Sequence, residues 1–149
     1  MKLITLDPYN SKHRSIIDKS SKKNNFKHIM SVCSICNKEE YEEIRSKKNE
    51  ILDCLLNVEN DEIQNYCIFN GTKDNRLIQM GIESLTDKKF LEESMNYAFQ
   101  VLNAHTIAIF LDGDNSNLER MGFESLGQEN GITTYIKEKE INIEMEKVR

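Results

Sequence analysis

The first third of the chain has apolar positions in two different periods, which predict one strand followed by two helices. Lys2–Leu6 alternates apolar and polar side chains and ends just before Pro8, which removes a backbone donor, so an opening strand is predicted there. Ser11 can cap a short helix that carries two adjacent isoleucines. Apolar residues then recur at helical spacing from Phe26 to Ile44, which predicts a second helix.

Beyond this point the pattern changes to that of β-strands. Ile51–Val58, Ile63–Phe69 and Arg76–Ile82 are predicted as strands, and turn-rich segments separate them. Strands that follow one another closely are usually neighbours in a sheet, so these three are expected to form an antiparallel meander. Asn70-Gly71 tolerates positive φ and is the dipeptide predicted to form the second hairpin.

The second half of the chain begins with the clearest amphipathic helix, which starts at Thr86 or Asp87. A continuous apolar run follows it, as is typical of a strand covered on both faces. Gly122 then stops a very short helix. The predicted elements of this half are one long helix, one buried strand, one short helix and two final strands, at 86–102, 106–111, 117–121, 123–127 and 132–138.

Length and charge restrict the class of protein. A chain of 149 residues, 38% hydrophobic and with a net charge of −5, is expected to form one soluble globular domain over 1–149. Within it, 1–50 holds the first strand and two helices, 51–138 the core and 139–149 a charged tail. We expect neither nucleic acid nor membrane as a partner, because the chain is acidic and has no apolar run of about 20 residues.

The N-terminus has no apolar secretory segment, so the protein is expected to be cytoplasmic. Residues 1–30 nevertheless hold seven Lys or Arg against two Asp, which favours a solvated helix face and leaves an acidic partner as the alternative.

Cysteine and histidine give little indication of a metal site. Cys33 and Cys36 have the C-x-x-C spacing of redox and zinc sites, but no second pair accompanies them, and two small buried residues on one helix face have the same spacing. Cys54 and Cys67 fall singly in predicted strands. The three histidines are scattered, so no metal is expected.

Three segments carry a resemblance to a known family. Phe90–Phe99 resembles the central helix of the GNAT superfamily of N-acetyltransferases, Asn117–Gly127 resembles its short helix followed by glycine and phenylalanine, and Gly131–Lys137 resembles its last strand. The likeness covers roughly residues 50–138. It implies an α/β (α+β) fold with a mixed, mostly antiparallel central sheet flanked by helices.

The resemblance also implies acetyl-CoA as co-substrate. In the family, a glycine-rich loop of the form Q/R-x-x-G-x-G/A and the following helix N-terminus hold the pyrophosphate, because exposed amides and a helix dipole favour an anion. The loop falls here on Ile82–Asp87 and has none of the signature residues. The cofactor-binding positions implied are Ile82, Ser84, Leu85, Thr86, Asp87, Lys88 and Lys89, with Asn115 near the pantetheine arm.

Two observations bear on that loop. Asp87 would place a carboxylate at the positive end of the helix dipole and repel a pyrophosphate, while Lys88 and Lys89 would offset the repulsion. Ser84 with Asp87 also fits a capping box, which is a purely structural explanation of the loop.

The catalytic roles implied by the family fall on few residues. Leu118 occupies the position at which members commonly have a tyrosine as general acid. Tyr135 could serve instead, although a tyrosine in a strand also fits half-buried packing. Glu83, at the end of a strand, is the candidate general base, with an exposed strand-end glutamate as the alternative.

The leading interpretation is therefore an acetyl-CoA-dependent N-acetyltransferase that transfers the acetyl group directly to a small-molecule or peptide amine. The alternative is a non-catalytic binding module that keeps the scaffold and has lost acetyl-CoA. Either a monomer or a homodimer is compatible with the sequence, because edge strands have the same pattern in both.

Overall fold

The structure is a computed structural model, and it describes residues 2–7, 10–20, 50–72, 74 and 76–140. The predicted second helix, the C-x-x-C pair at Cys33 and Cys36, and nearly all of the charged tail lie outside these residues.

Seven strands and three helices make up the described part of the chain. They are β1 Lys2–Thr5, α1 Ser11–Ser20, β2 Glu50–Glu59, β3 Glu62–Thr72, β4 Leu77–Ile82, α2 Lys88–Asn96 with a π-helical turn at Tyr97–Val101, β5 Thr106–Asp112, α3 Ser116–Arg120, β6 Glu124–Glu129 and β7 Ile132–Glu138. Each strand predicted within the described residues is present, and its ends lie within two residues of the predicted ones, except that β3 ends three residues later than predicted.

The strands form one sheet in the order β1-β2-β3-β4-β5-β7-β6. All neighbouring strands are antiparallel except β4 and β5, which are parallel and are joined in sequence by α2. The predicted meander of β2, β3 and β4 and the mixed, mostly antiparallel sheet are confirmed. A parallel pair requires a crossover, and α2 supplies it.

The two faces of the sheet carry separate apolar clusters, because successive side chains of a strand point to opposite faces. One cluster packs α2 on Leu55, Phe69, Ile107 and Tyr135. The other packs α1, through Ile16 and Ile17, on the alternate residues of β2 and β3. The sheet therefore has a helix on each face.

The Asn70-Gly71 hairpin prediction is wrong. Both residues lie inside β3, where Asn70 pairs with Leu52 on one side and Gln79 on the other. Gly71 is required for a different reason: a Cβ there would collide with the carbonyl oxygen of Leu77. Positive φ occurs instead at Asn60 and Asp61 between β2 and β3, with φ of 52° and 61°, and at Arg76 just before β4, with φ of 55°.

Two helix caps also differ from the predictions. Asn10, and not Ser11, caps α1, because its Oδ1 accepts from the backbone N–H of Lys12 and of His13 at 2.9 and 3.2 Å. The capping box with Ser84 as the cap is wrong as well. Asp87 itself caps α2 by accepting from the Phe90 N–H at 3.1 Å.

β5 is an interior strand, but the prediction that both of its faces are covered holds for only half of it. Ile107, Ala108 and Ile109 are buried, whereas the Phe110 side chain is 46% exposed. The change coincides with the loss of a neighbour, because β5 pairs with β4 only up to Ala108.

Candidate active site

A cleft opens where the two parallel strands part. β4 and β5 pair at only three positions, from Leu77 opposite Thr106 to Gln79 opposite Ala108. From there β4 continues along β3, and β5 continues along β7 to Asp112. Within the described residues, the facing edges of the two strands have no partner strand beyond these three pairs. Backbone donors and acceptors on both edges are thus available to a ligand that enters between them.

The loop from β4 to α2 lies at the open end of this cleft, and a buried asparagine on β3 holds its first part. The Oδ1 of Asn65 accepts from the Ser84 N–H at 3.1 Å, and its Nδ2 donates to the Ser84 carbonyl oxygen at 2.9 Å. Within the loop, the Ser84 and Thr86 hydroxyls are 2.7 Å apart. The segment has a defined course although it has no glycine.

The N-terminus of α2 has both favourable and unfavourable groups for an anion. The backbone N–H groups of Leu85, Asp87, Lys88 and Lys89 find no acceptor among the described residues, and the helix dipole points its positive end toward them. The Asp87 carboxylate lies at the same end. Lys88 and Lys89 follow it and are exposed, so two positive charges lie in the first turn of the helix.

Glu83 lies beside the cleft in a cavity of about 360 Å³ on the α1 face of the sheet. Its backbone N–H donates to the Tyr66 carbonyl oxygen at 3.0 Å, which continues the pairing of β3 and β4 by one residue. Burial, followed by the charge of the Glu83 carboxylate and its hydrogen bond with the phenol, raises the pKa of Tyr66. The phenol therefore stays protonated and can only donate to that carboxylate at neutral pH.

Asn115 and Tyr135 meet on the other wall of the cleft. Tyr135 lies opposite Ile109, the first residue of β5 beyond the paired region, and its side chain is 0% exposed. Its hydroxyl oxygen accepts from the Asn115 backbone N–H at 2.7 Å. The Asn115 side chain in turn caps α3 by accepting from the N–H groups of Asn117 and Leu118. Tyr135 thus holds the loop that ends at α3.

The structure therefore groups the predicted site residues into two sets. Residues 82–89 run from the last residue of β4 into the first turn of α2, and Asn115 with Tyr135 belongs to the β5 wall. Leu118, at the position of the family tyrosine, is buried in the core on the α2 face. Among the described residues, no three His, Cys, Asp or Glu side chains lie close enough together to hold a metal ion.

Two residues at this site were not predicted. Asn65 lies on the same face of β3 as the buried Cys67 and Phe69. A polar residue at a buried position of the alternating pattern is the signal that could have revealed it. Tyr66 follows it and faces Glu83. Only the pairing of β3 with β4 brings both residues to the loop, so spacing along the chain does not indicate the contact.

Comparison with solved structures identifies the fold as that of the GNAT N-acetyltransferases. The N-acetyltransferase PseH from Campylobacter jejuni superposes with a TM-score of 0.59 at 13% identity, over 93% of this chain and 98% of that one. PseH in complex with acetyl coenzyme A gives a TM-score of 0.59 at 12% identity, over 93% and 100% of the chains.

A variant of the spermidine N-acetyltransferase SpeG from Vibrio cholerae gives a TM-score of 0.60 at 14% identity, over 93% and 95% of the chains. At these identities the likeness concerns the fold, and the GNAT-like fold expected from the sequence is confirmed. No family model and no curated protein matches the sequence. Among the helices in the described part of the chain, none is long and apolar enough to cross a membrane.

Proposed function

We propose that the protein is an acetyl-CoA-dependent N-acetyltransferase that acts on an amine. The observation that carries the proposal is the separation of β4 and β5 after three paired positions, directly beside the N-terminus of α2. Solved N-acetyltransferases, one of them bound to acetyl coenzyme A, share this fold over most of the chain. The fold alone does not assign an activity, so the activity is inferred from the geometry of the site.

The residues present can accommodate an anionic nucleotide thioester. The uncommitted N–H groups of Leu85, Asp87, Lys88 and Lys89 would hold the pyrophosphate, with the two ammonium groups as counter-charges. The unpaired edges of β4 and β5 would receive the extended pantetheine arm by backbone hydrogen bonds. Asn115, at the end of the β5 wall, would border that arm.

The chemistry that follows is direct acyl transfer. The amine nitrogen forms a bond with the thioester carbonyl carbon, the carbon–sulfur bond breaks, and the thiolate leaves with its electron pair. A backbone N–H on the unpaired edge of β4 would stabilise the negative charge that develops on the carbonyl oxygen. Glu83 would take the proton that the amine loses, directly or through water.

Tyr135 was predicted as a reserve acid for the departing thiolate. Its geometry favours a positioning role, because the phenol is enclosed in the core and its oxygen already accepts from Asn115. We propose that Tyr135 holds the β5 wall of the cleft and that the thiolate takes its proton from solvent.

One observation favours the non-catalytic alternative. The Asp87 carboxylate satisfies the Phe90 N–H and places a negative charge where the pyrophosphate would lie. If that repulsion prevails over the two lysines, the protein is a binding module on the same scaffold. The two functions differ in whether acetyl-CoA binds at all.

Thermal unfolding with and without acetyl-CoA tests the proposal. A ligand at a hundred times its Kd adds about 2.7 kcal/mol, which for a domain of this size is a rise in Tm of about 5–10 °C. Acetyl transfer to a panel of small amines and to lysine peptides is then measured. Glu83→Gln is expected to lose activity, and Glu129→Gln, on the edge strand β6, is the matched control. No rise in Tm with millimolar acetyl-CoA or CoA would leave the binding module as the function.

A further inference from the structure

The buried side chain of Asn65, on β3, is hydrogen-bonded to the loop that follows β4. It is 2% exposed, and its amide makes three hydrogen bonds. Two of them are made with the backbone of Ser84, to its carbonyl oxygen at 2.9 Å and from its N–H at 3.1 Å. In the third, the Oδ1 of Asn65 accepts from the N–H of the next residue, Tyr66, at 2.9 Å. One side chain of β3 thus fixes the start of the segment that follows β4.

A β-bulge aims this side chain at the loop. Asn57 lies opposite Asn65, but the next residue of β2, Val58, lies opposite Ile63, so β3 has one extra residue there, Gln64. The bulge places Ile63 in the α1 cluster and leaves Asn65 on the α2 face, level with Ser84.

We infer that Asn65 is a positioning residue for acetyl-CoA, and this inference depends on the proposed function. A loop without glycine keeps a Cβ at every position, so a pyrophosphate can meet only those backbone N–H groups that the course of the loop turns toward it. Asn65 uses the N–H and the carbonyl of Ser84, so the next free donors are those of Leu85 and of the first turn of α2. By fixing the course of the loop, the amide of Asn65 therefore fixes the direction of those donors.

The experiment compares Asn65→Ala and Asn65→Asp with Asn57→Ala. Asn57 is a matched control, because it is also a buried asparagine, lies opposite Asn65 in the sheet, and makes no hydrogen bond to the described residues of the loop. Asn65→Asp keeps the acceptor oxygen and loses the donor to Ser84, and it guards against the case in which the alanine variant fails to fold.

Two measurements are made on each variant. Hydrogen exchange resolved to residues 83–87 reports whether the loop is held, and acetyl-CoA titration together with KM and kcat reports the consequence for binding. For Asn65→Ala we expect the Ser84 amide to exchange about tenfold faster and the Kd for acetyl-CoA to rise about tenfold, while kcat at saturation falls less. Asn65→Asp should protect Ser84 better than the alanine variant.

The outcomes separate this inference from the proposed function. Equal Ser84 exchange and equal acetyl-CoA affinity in the Asn65 and Asn57 variants would overturn the role of Asn65. A parent protein that does not bind acetyl-CoA would overturn the proposed function and with it the binding part of the inference, while the exchange data would still decide whether Asn65 holds the loop. Faster exchange of Ser84 with unchanged affinity for acetyl-CoA would show that Asn65 holds the loop but does not contribute to binding, and the positioning role would be overturned.

Discussion

Replacing Tyr135 by phenylalanine removes one oxygen atom and leaves the ring, so the variant isolates the hydrogen bond to Asn115. The phenol oxygen lies 2.7 Å from the Asn115 nitrogen, inside a side chain that is 0% exposed. The ring remains packed in the cluster beneath α2. No cavity large enough to change the packing is created.

The magnitude follows from the hydrogen bond that is lost. A partly buried N–H left without its acceptor costs about 1–2 kcal/mol. For a domain of this size, 1 kcal/mol corresponds to about 2–4 °C, so the Tm should fall by about 2–8 °C. If Tyr135 only positions the β5 wall, acetyl transfer should fall by about tenfold or less, whereas a general acid contributes about 10²–10⁴-fold.

The assay is thermal unfolding together with kcat for acetyl transfer, and Tyr97→Phe is the control. Tyr97 also makes a hydrogen bond through its hydroxyl, which donates to the Oδ2 of Asp53 at 2.6 Å, but this bond lies at the far end of α2. The control should lose stability and keep its activity. A loss of kcat of a thousandfold in Tyr135→Phe, with an unchanged Tm, would refute the positioning role and restore Tyr135 as the acid.

Three further predictions concern stability and thiol chemistry. Gly71→Ala should lower the free energy of unfolding by about 1–3 kcal/mol in a denaturant titration, because the new Cβ meets a backbone oxygen. Gly81→Ala is the control and should change it little, because the nearest neighbour of its Cβ would lie at 3.9 Å. Equal effects of the two variants would contradict the strand contact at Gly71. Leu118→Ala should lower the free energy of unfolding by about 2–5 kcal/mol, because Leu118 is buried in the core. Leu126→Ala, at a side chain that is 61% exposed, should lower it by about 0.5 kcal/mol or less. A small loss at Leu118 would show that α3 is not packed as described. Burial raises the pKa of the Cys67 thiol, so little thiolate is present at pH 8. Alkylation of Cys67 by iodoacetamide, measured by peptide mass spectrometry, should therefore be slow in the folded protein and fast in denaturant. Labelling of the folded protein at the unfolded rate would contradict the burial.

Much of the fold was predictable because it depends on short-range patterns. The periods of apolar residues located the strands and α2, and Gly122, with φ of 94°, ends α3 as its position predicted. Asn70-Gly71 failed because its turn chemistry is a local preference only, and pairing on both sides of β3 overrides that preference.

The candidate site was predictable as a segment and not as a set of contacts. The sequence indicated that residues 82–89 follow a strand and enter a helix, which the structure confirms, and the roles proposed for them stay predictions. Asn65 and Tyr66 are 19 and 17 residues away from the loop residues that they contact, and only the register of β3 against β4 brings them there.

By itself, then, the sequence determined the order of the strands and helices, since each depends on side chains within a few residues of one another. Tertiary structure decided where β4 and β5 separate, which way Asn65 points and how deeply Tyr135 is enclosed. Those features depend on pairing register, a β-bulge and packing between distant segments, and the periodicity of side chains within one segment does not specify them.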